Sequence, residues 1–236
     1  MNFKITLTCL LLFVLNSCQA QNKNMIMTKK DSTSNLNFER KYDLKTGLEM
    51  YNFEIMKNSK TNPAVFKMNN GWTVLVYPMQ IGGGYYNEYS PSLEFTMIQK
   101  IFYPNGLLKQ KSYFFQNNLK IGIWEYYDEK GNLIKKVNED EKFKKSKVKL
   151  KDVLNLLERE GWINLKTGEG ATEIISSEAH VEIKQGFNIM FTEDEYNKVT
   201  WYANKQVGNG AISVSYEIDG ITGKVTKKEV PIIGIE

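Results

Sequence analysis

The side chains that most often carry covalent or acid–base chemistry are scarce in this chain. Its two cysteines, Cys9 and Cys18, both lie near the N-terminus, and His180 is the single histidine. One histidine excludes a multi-histidine zinc site, and a Ser-His-Asp triad would have to use His180. That residue lies in the alternating run 178–183, which predicts a strand with His180 on its polar face. No Gly-x-Ser-x-Gly elbow occurs. We therefore predict no catalytic role for His180.

Cys18 follows a segment with the composition of an export signal. Lys4 supplies a positive charge, residues 5–15 form a largely apolar run of 11 residues, and Leu15-Asn16-Ser17-Cys18 closes the segment. Such a run is too short to span a bilayer, which takes about 20 apolar residues, but it fits a secretory signal. The arrangement resembles a bacterial lipoprotein signal, in which a peptidase cuts before a cysteine that carries acyl chains. The resemblance implies a signal peptide at residues 1–17 and lipid attachment at Cys18.

This segment allows two locations. With a lipidated Cys18 as the first residue, the protein is anchored to the membrane, because acyl chains contribute about 0.8 kcal/mol per buried CH2. Gln19 stands where enteric lipoproteins retained at the inner membrane have aspartate, so the resemblance favours the outer membrane. The alternative is an ordinary signal cut after Ala20, which gives a secreted or periplasmic soluble protein.

The composition of the remaining chain limits the classes of partner. Cleavage before Cys18 leaves no second cysteine, so we predict no intramolecular disulfide, no thiol nucleophile and no cysteine-based metal site. Lys4 is the one charged residue of the signal, and its loss lowers the formal charge from +4 to +3. This charge is too small to indicate a nucleic-acid partner. We also predict no cofactor.

Two short motifs imitate known sites, but their details do not suit the chemistry. Ser146-x-x-Lys149 and Lys166-Thr167-Gly168 resemble elements of penicillin-binding enzymes, yet only about 20 residues separate them. Asp128 and Glu139 stand at the two ends of a calcium-loop pattern, but Lys130 occupies a ligand position. We interpret the first motif as coincidence and the second as a hairpin turn.

A hydrolase would therefore need a pair of carboxylates. Candidates are frequent in one C-terminal stretch: Glu173, Glu178, Glu182, Glu193, Asp194 and Glu195. Frequency alone does not mark a site. We predict a non-catalytic protein, with a carboxylate-based envelope hydrolase as an alternative.

The chain after the signal divides into a tether and two predicted folded parts. Residues 18–37 are rich in Gln, Asn, Ser, Thr and Lys and have few bulky side chains, which predicts a flexible tether. For residues 38–140 we predict an antiparallel β module. Within it, the β-rich runs 64–68 and 72–77 are joined by Asn69-Asn70-Gly71, which predicts a hairpin.

A repeated pattern occupies residues 94–138. Tyr103-Pro104-Asn105-Gly106-Leu107-Leu108 and Gly131-Asn132-Leu133 place two turn glycines 25 positions apart, and Gly122-Ile123-Trp124-Glu125-Tyr126 lies between them. Glycine permits a left-handed turn, and aromatic residues fill one face of a short hairpin. This pattern resembles the MORN-variant repeat of bacterial proteins. The resemblance implies hairpins that specify a surface rather than a reaction.

Residues 147–236 are predicted to form a helix followed by strands. Leu150, Val153 and Leu157 recur at helical spacing, and extended runs follow Gly161. Residues 216–225 read Tyr-x-Ile-Asp-x-x-Thr-Gly-Lys-Val, which resembles the end of a PepSY-type domain. The expected fold class is α+β and mostly antiparallel β, with a MORN-like β-hairpin module followed by a small helix-plus-sheet PepSY-like module.

Two surfaces leave alternatives open. The lysines between residues 142 and 151 either contact anionic lipid or an acidic cell-surface polymer, or form a solvated linker beside the acidic residues 139–141. We favour the linker. Six tyrosines either build a platform for sugars or a partner strand, or are half-buried sheet residues. They are Tyr85, Tyr86, Tyr89, Tyr103, Tyr126 and Tyr127.

Together these features predict a lipid-anchored cell-envelope lipoprotein that is not an enzyme. It is expected to act as a binding or scaffolding module for a protein or glycan of the envelope, besides the membrane itself. The PepSY-like resemblance adds the alternative of an inhibitor or regulator of an exported peptidase. The sequence does not indicate an oligomeric state.

Overall fold

The structure is a computed structural model that describes residues 26–30, 38–91, 95–116, 118–177, 180–208 and 210–232. The predicted signal peptide at residues 1–17 and the predicted lipid site Cys18 lie outside the described residues. Within the predicted tether, residues 26–30 are described and form a strand.

The described elements are short and mostly extended. The strands are β1 (Ile26–Lys30), β2 (Glu39–Asp43), β3 (Glu49–Met50), β4 (Ala64–Lys67), β5 (Thr73–Pro78), β6 (Gly84–Tyr89), β7 (Thr96–Phe102), β8 (Leu108–Phe115), β9 (Leu119–Tyr127), β10 (Leu133–Asn138), β11 (Glu173–Ser176), β12 (Val181–Lys184), β13 (Asn188–Glu193), β14 (Val199–Val207), β15 (Ile212–Asp219) and β16 (Val225–Pro231). The helices are α1 (Glu54–Asn58), a 3₁₀ helix (Glu139–Lys145) and α2 (Leu150–Arg159).

The described strands pair antiparallel in four sheets. The largest is a seven-stranded sheet in the order β10-β9-β8-β7-β6-β5-β4, so consecutive strands are neighbours and the sheet is a meander of hairpins. The other sheets also follow chain order: β1-β2-β3, β11-β12 and β13-β14-β15-β16. Short connections between consecutive strands favour this arrangement.

The predicted glycine turns of the meander are confirmed. Gly71, Gly106 and Gly131 have φ values of +85°, +86° and +81°, a conformation that residues with a Cβ rarely adopt. Each glycine N–H donates to the carbonyl three residues earlier, at 2.9–3.0 Å. The turns therefore set the pairings β4–β5, β7–β8 and β9–β10.

The predicted α+β fold class is wrong, because a small helix-plus-sheet PepSY-like module is not evident in the described chain. The expected predominance of antiparallel β structure agrees with the described strands. The predicted helix exists as α2, but its buried Val153 and Leu157 enter a core that contains both Trp201 of β14 and Phe115 of β8. The helix and the C-terminal sheet thus share their core with the seven-stranded sheet. Helical periodicity indicates that a face is buried and does not indicate its packing partner. The peptidase-inhibitor alternative depended on that module.

The two faces of the seven-stranded sheet pack differently. Its inner face packs against β2, β3, α1 and their connections. That core contains Phe38, Tyr51, Ile55, Phe66, Val74, Val76, Tyr86, Phe102, Leu108 and Tyr127. On the outer face, the β11–β12 hairpin covers one part, where its Ile174 and Val181 pack near Leu75, Met97 and Phe114.

Candidate binding surface

The inner face contains a buried cluster of four charged side chains. Arg40 Nη1 donates to Glu49 Oε1 at 2.6 Å and to Glu88 Oε1 at 2.8 Å. Lys100 Nζ donates to Glu49 Oε2 at 2.5 Å and to Glu88 Oε1 at 2.7 Å. All four side chains are at most 13% exposed. Two cations and two carboxylates therefore neutralise one another inside the protein.

This cluster is suited to structure rather than to acid–base catalysis. Burial alone would raise the pKa of Glu88, but the charges of Lys100 and Arg40 outweigh it and hold the pKa below its usual value. A general acid at neutral pH needs a raised pKa, so the direction of this shift is opposite to that requirement. The cluster joins β3, β6 and β7 with Arg40 of β2.

The outer face presents a row of side chains that runs directly across the strands; all are half-buried except the exposed Lys135. Six residues are paired one to the next, from β5 to β10, and the row is named here the outer row. Its members are Tyr77, Tyr85, Ile101, Gln110, Tyr126 and Lys135. Because residues paired directly across an antiparallel sheet lie on the same face, these side chains form one continuous strip. Neighbouring strands are about 4.8 Å apart, so the outer row is about 24 Å long.

Aromatic rings occupy both ends of the outer row. The rings of Tyr77 and Tyr85 are stacked, with centroids 4.4 Å apart and planes 9° from parallel. Lys135 Nζ lies 5.8 Å from the ring centroid of Tyr126 at the other end. Burial raises the pKa of Tyr77 to about 12, and it also raises the pKa of Tyr85. Both hydroxyls are therefore neutral at physiological pH and can donate hydrogen bonds.

Amide and hydroxyl groups lie beside the outer row. Gln99 Nε2 donates to Asn87 Oδ1 at 3.1 Å, and Gln110 Nε2 is 3.3 Å from Ser112 Oγ. An amide side chain carries two donor hydrogens and an acceptor oxygen, so each group retains capacity for a ligand. The centre of the outer face thus combines the apolar Ile101 with several hydrogen-bonding groups.

The charges on the outer face have one sign. Among the described strand residues that alternate onto this face, none is Asp or Glu. Lys67, Lys120 and Lys135 lie at its borders on β4, β9 and β10. Lys120 Nζ lies 4.7 Å from the Trp124 ring centroid, so its ammonium is held over the face.

The structure separates the tyrosines that the sequence grouped as a platform. Tyr85, Tyr89 and Tyr126 belong to the outer face, and Tyr89 is buried near the β11–β12 hairpin. Tyr86 and Tyr127 belong to the inner core. The remaining Tyr103 donates from its hydroxyl to Tyr127 O at 2.9 Å.

Sequence reasoning missed four members of the outer row: Tyr77, Ile101, Gln110 and Lys135. Period-two alternation within each strand was a signal for their sharing a face with the tyrosines. The register between strands was not available from that alternation. Three register shifts alter it locally: between Ile101 and Phe102, between Lys111 and Tyr113, and between Leu133 and Lys135.

The structure also locates three residues that the sequence analysis considered as candidates: Ser146, Asp128 and His180. Ser146 is fully buried, and its Oγ lies 2.6 Å from Val148 O and 3.0 Å from Gly220 O. Asp128 Oδ1 accepts from the backbone N–H groups of Lys130 and Asn132 at 2.9 and 2.8 Å, which confirms the hairpin-turn interpretation. His180 is exposed beside the β11–β12 turn, next to residues that the structure does not describe.

The predicted carboxylate candidates are spread over exposed positions. Glu173 and Glu182 lie on β11 and β12 with exposed side chains. Glu193 pairs with Lys145, and Asp194 Oδ1 accepts from backbone N–H groups in the β13–β14 turn. Glu195 is exposed in that turn, and Glu178 lies outside the described residues. In the described chain, no three His, Cys, Asp or Glu side chains are grouped as a metal site requires.

The lysine-rich segment is partly neutralised by local ion pairs. Lys142 Nζ is 3.3 Å from Glu139 Oε2, and Lys144 Nζ is 2.6 Å from Glu141 Oε2. Lys142 also donates to Lys120 O at 2.8 Å, which ties the 3₁₀ helix to β9. These contacts lower the net positive charge that the segment presents.

The chain matches no protein-family model, and no curated protein shows significant sequence similarity to it. None of the helices that the structure describes has the length and apolar character needed to cross a membrane.

Proposed function

We propose that this protein is a lipid-anchored, non-catalytic binding protein of the bacterial cell envelope, attached through Cys18. Its binding surface is the outer row of the seven-stranded sheet. The observation that carries this proposal is the row itself: it crosses six adjacent strands, and its aromatic and amide members, on four of them, remain half-exposed. Exposed aromatic groups on a rigid scaffold are typical of recognition surfaces.

The position of the carboxylates supports binding over hydrolysis. Glycosidases and similar hydrolases place two carboxyl groups on opposite sides of the scissile bond. Glu49 and Glu88 are instead enclosed with Arg40 and Lys100 on the inner face. The outer face, which a ligand can reach, has no described strand carboxylate.

A Cys18→Ala substitution with membrane fractionation tests the anchor. We expect the wild-type protein in the membrane pellet and the variant in the soluble fraction. A variant that stays in the pellet would contradict lipid anchoring at Cys18.

Retention of solubilised envelope material on the immobilised mature protein tests the binding surface. The test variant is Tyr85→Ala/Tyr126→Ala, and its matched control is Tyr196→Ala, which removes an 81% exposed tyrosine from the β13–β14 turn. We expect the double variant to lose retention and the control to keep it. Equal retention by both would overturn the assignment of the surface.

A further inference from the structure

We propose that the ligand of the outer face is a linear anionic polysaccharide that lies along the outer row, across the strands. This inference rests on the proposed function and names the class of its partner. Three features of the outer face carry it: the chemistry of the side chains, the length of the row and the sign of its charges.

The side chains of the outer row fit the two kinds of surface on a sugar. A sugar ring has an apolar face of C–H groups, which packs on aromatic side chains such as Tyr85 and Tyr126. Its hydroxyls need donors and acceptors, which Gln99, Gln110 and Asn87 provide together as amides. A protein strand bound to an exposed sheet edge would use backbone groups instead, and the outer row lies on a face.

The geometry of the outer row fits an extended polymer. Direct pairing across six strands makes a strip about 24 Å long, which is much longer than one sugar ring. The stacked Tyr77–Tyr85 pair and Tyr126 are separated by the strands β7 and β8, with Ile101 and Gln110 between them. A linear chain can therefore contact both aromatic ends at once.

The charge of the outer face selects an anionic polymer. The described strand residues of this face include lysines at the borders and no acidic residue, so the face is complementary to carboxylate or phosphate groups. Lys135 and Lys120 are held next to Tyr126 and Trp124, which places a charge beside an aromatic surface at each position. A neutral glycan would gain no ionic attraction from these lysines.

Binding of defined polymers to the mature full-length protein in detergent tests this inference. The probe is polygalacturonate, a linear polymer with one carboxylate per sugar, and its matched control is the fully methyl-esterified polymer, which has the same backbone without charge. We expect polygalacturonate to bind at least about tenfold more tightly than the ester, with affinity that falls as salt rises.

Two variants test the location of the binding site. We expect Tyr126→Ala to weaken polygalacturonate binding at least about tenfold, because it removes an aromatic contact surface. We expect a loss of similar size in Lys135→Glu, because the new carboxylate repels the polymer. The matched controls are Tyr196→Ala and Lys144→Glu, which change an exposed tyrosine and an exposed lysine away from the outer row. We expect both controls to bind like the wild type.

The possible failures are distinguishable. Equal binding of the ester overturns the anionic ligand. Binding of the Cys18→Ala variant, which has no lipid anchor, to phosphatidylglycerol vesicles but not to polygalacturonate overturns the polysaccharide class. If neither polymer binds while envelope retention still depends on Tyr85 and Tyr126, the ligand class is wrong and the proposed function stands. If envelope retention does not depend on these tyrosines, the proposed function itself fails.

Discussion

On the inner face of the seven-stranded sheet, a cluster of four charged side chains is buried and paired, whereas on the outer face aromatic and amide side chains remain half-exposed between bordering lysines. The two faces alternate along the same strands. Tyr85 and Tyr86 are adjacent in β6, yet Tyr86 is 1% exposed in the inner core and Tyr85 belongs to the outer row. Sequence neighbours can therefore have a structural role and a binding role.

Under the proposed function, the two faces separate stability from recognition. The inner face holds β2, β3, β6 and β7 together through the cluster of Arg40, Glu49, Glu88 and Lys100. The outer row is only partly buried, although its Tyr77 packs against the buried Leu75, Tyr89 and Met97. Substitutions on the inner face should therefore change the free energy of unfolding, and substitutions in the outer row should change binding.

The largest effect is expected from breaking the buried cluster. Lys100→Met leaves Glu49 and Glu88 with Arg40 as their remaining cation, and removal of one partner of a buried ion pair costs about 3–5 kcal/mol. Urea unfolding followed by fluorescence measures this loss.

The matched control is Lys136→Met. Lys136 pairs with Glu125 at 2.8 Å but is 53% exposed, and exposed pairs contribute about 0–1 kcal/mol. Equal losses in the two variants would contradict the structural role of the buried cluster.

A smaller effect is expected from the hydroxyls of the neighbouring tyrosines. The backbone N–H of Asn52 donates to Tyr86 Oη at 2.7 Å in the inner core. Tyr86→Phe leaves this buried donor without its acceptor, which costs about 1–3 kcal/mol. Tyr85→Phe on the outer face should change the free energy of unfolding by no more than about 0.5 kcal/mol. The midpoints of urea unfolding compare the two variants. A larger loss of stability in Tyr85→Phe than in Tyr86→Phe would contradict the assignment of Tyr86 to the inner core and Tyr85 to the outer face.

Acid should weaken the inner face through Glu88. Lys100 and Arg40 hold the pKa of Glu88 below its ordinary 4.5 in the folded protein, although burial opposes them. Because the folded-state pKa is the lower one, the stabilisation is fully present above about pH 4.5 and is lost as the pH falls through the folded-state value. We expect a smaller loss of stability between neutral pH and about pH 3 in Glu88→Gln than in the wild type. Equal losses of stability on acidification in Glu88→Gln and the wild type would contradict the role of Glu88 in the acid sensitivity of the inner face.

A small effect on stability is also expected from an amide of the outer face. Asn87 accepts from Gln99 at 3.1 Å in a half-exposed position. Asn87→Ala should therefore change the free energy of unfolding by less than about 1 kcal/mol. A loss as large as that of Lys100→Met would show that the outer face is also a structural core.

The local elements were predictable from the sequence because each depends on nearby residues. Gly71, Gly106 and Gly131 indicated turns, and apolar spacing indicated the helix that forms at 150–159. The fold class was not predictable in the same way. The helix shares a core with Phe115, which is distant in sequence, and helical spacing carries no information on that contact.

The candidate site was predictable only in its residue types. Tyrosines in β-rich segments left open a binding platform or half-buried sheet positions, and alternation alone could not show that Tyr85 and Tyr126 share a row while Tyr86 and Tyr127 are buried. Their placement depends on strand register and on a hairpin, β11–β12, that covers part of the outer face. The pairing of Arg40 with Glu88, which are 48 positions apart, likewise depends on the tertiary fold.

The separation of binding from stability is tested most directly by measuring both properties in the Tyr85→Ala/Tyr126→Ala variant. Retention of envelope material and urea unfolding would be measured on the same preparation, with Tyr196→Ala as the control. We predict that the double variant unfolds cooperatively but loses at least about tenfold in binding, while the control keeps both properties. Wild-type binding by a folded double variant would contradict the account.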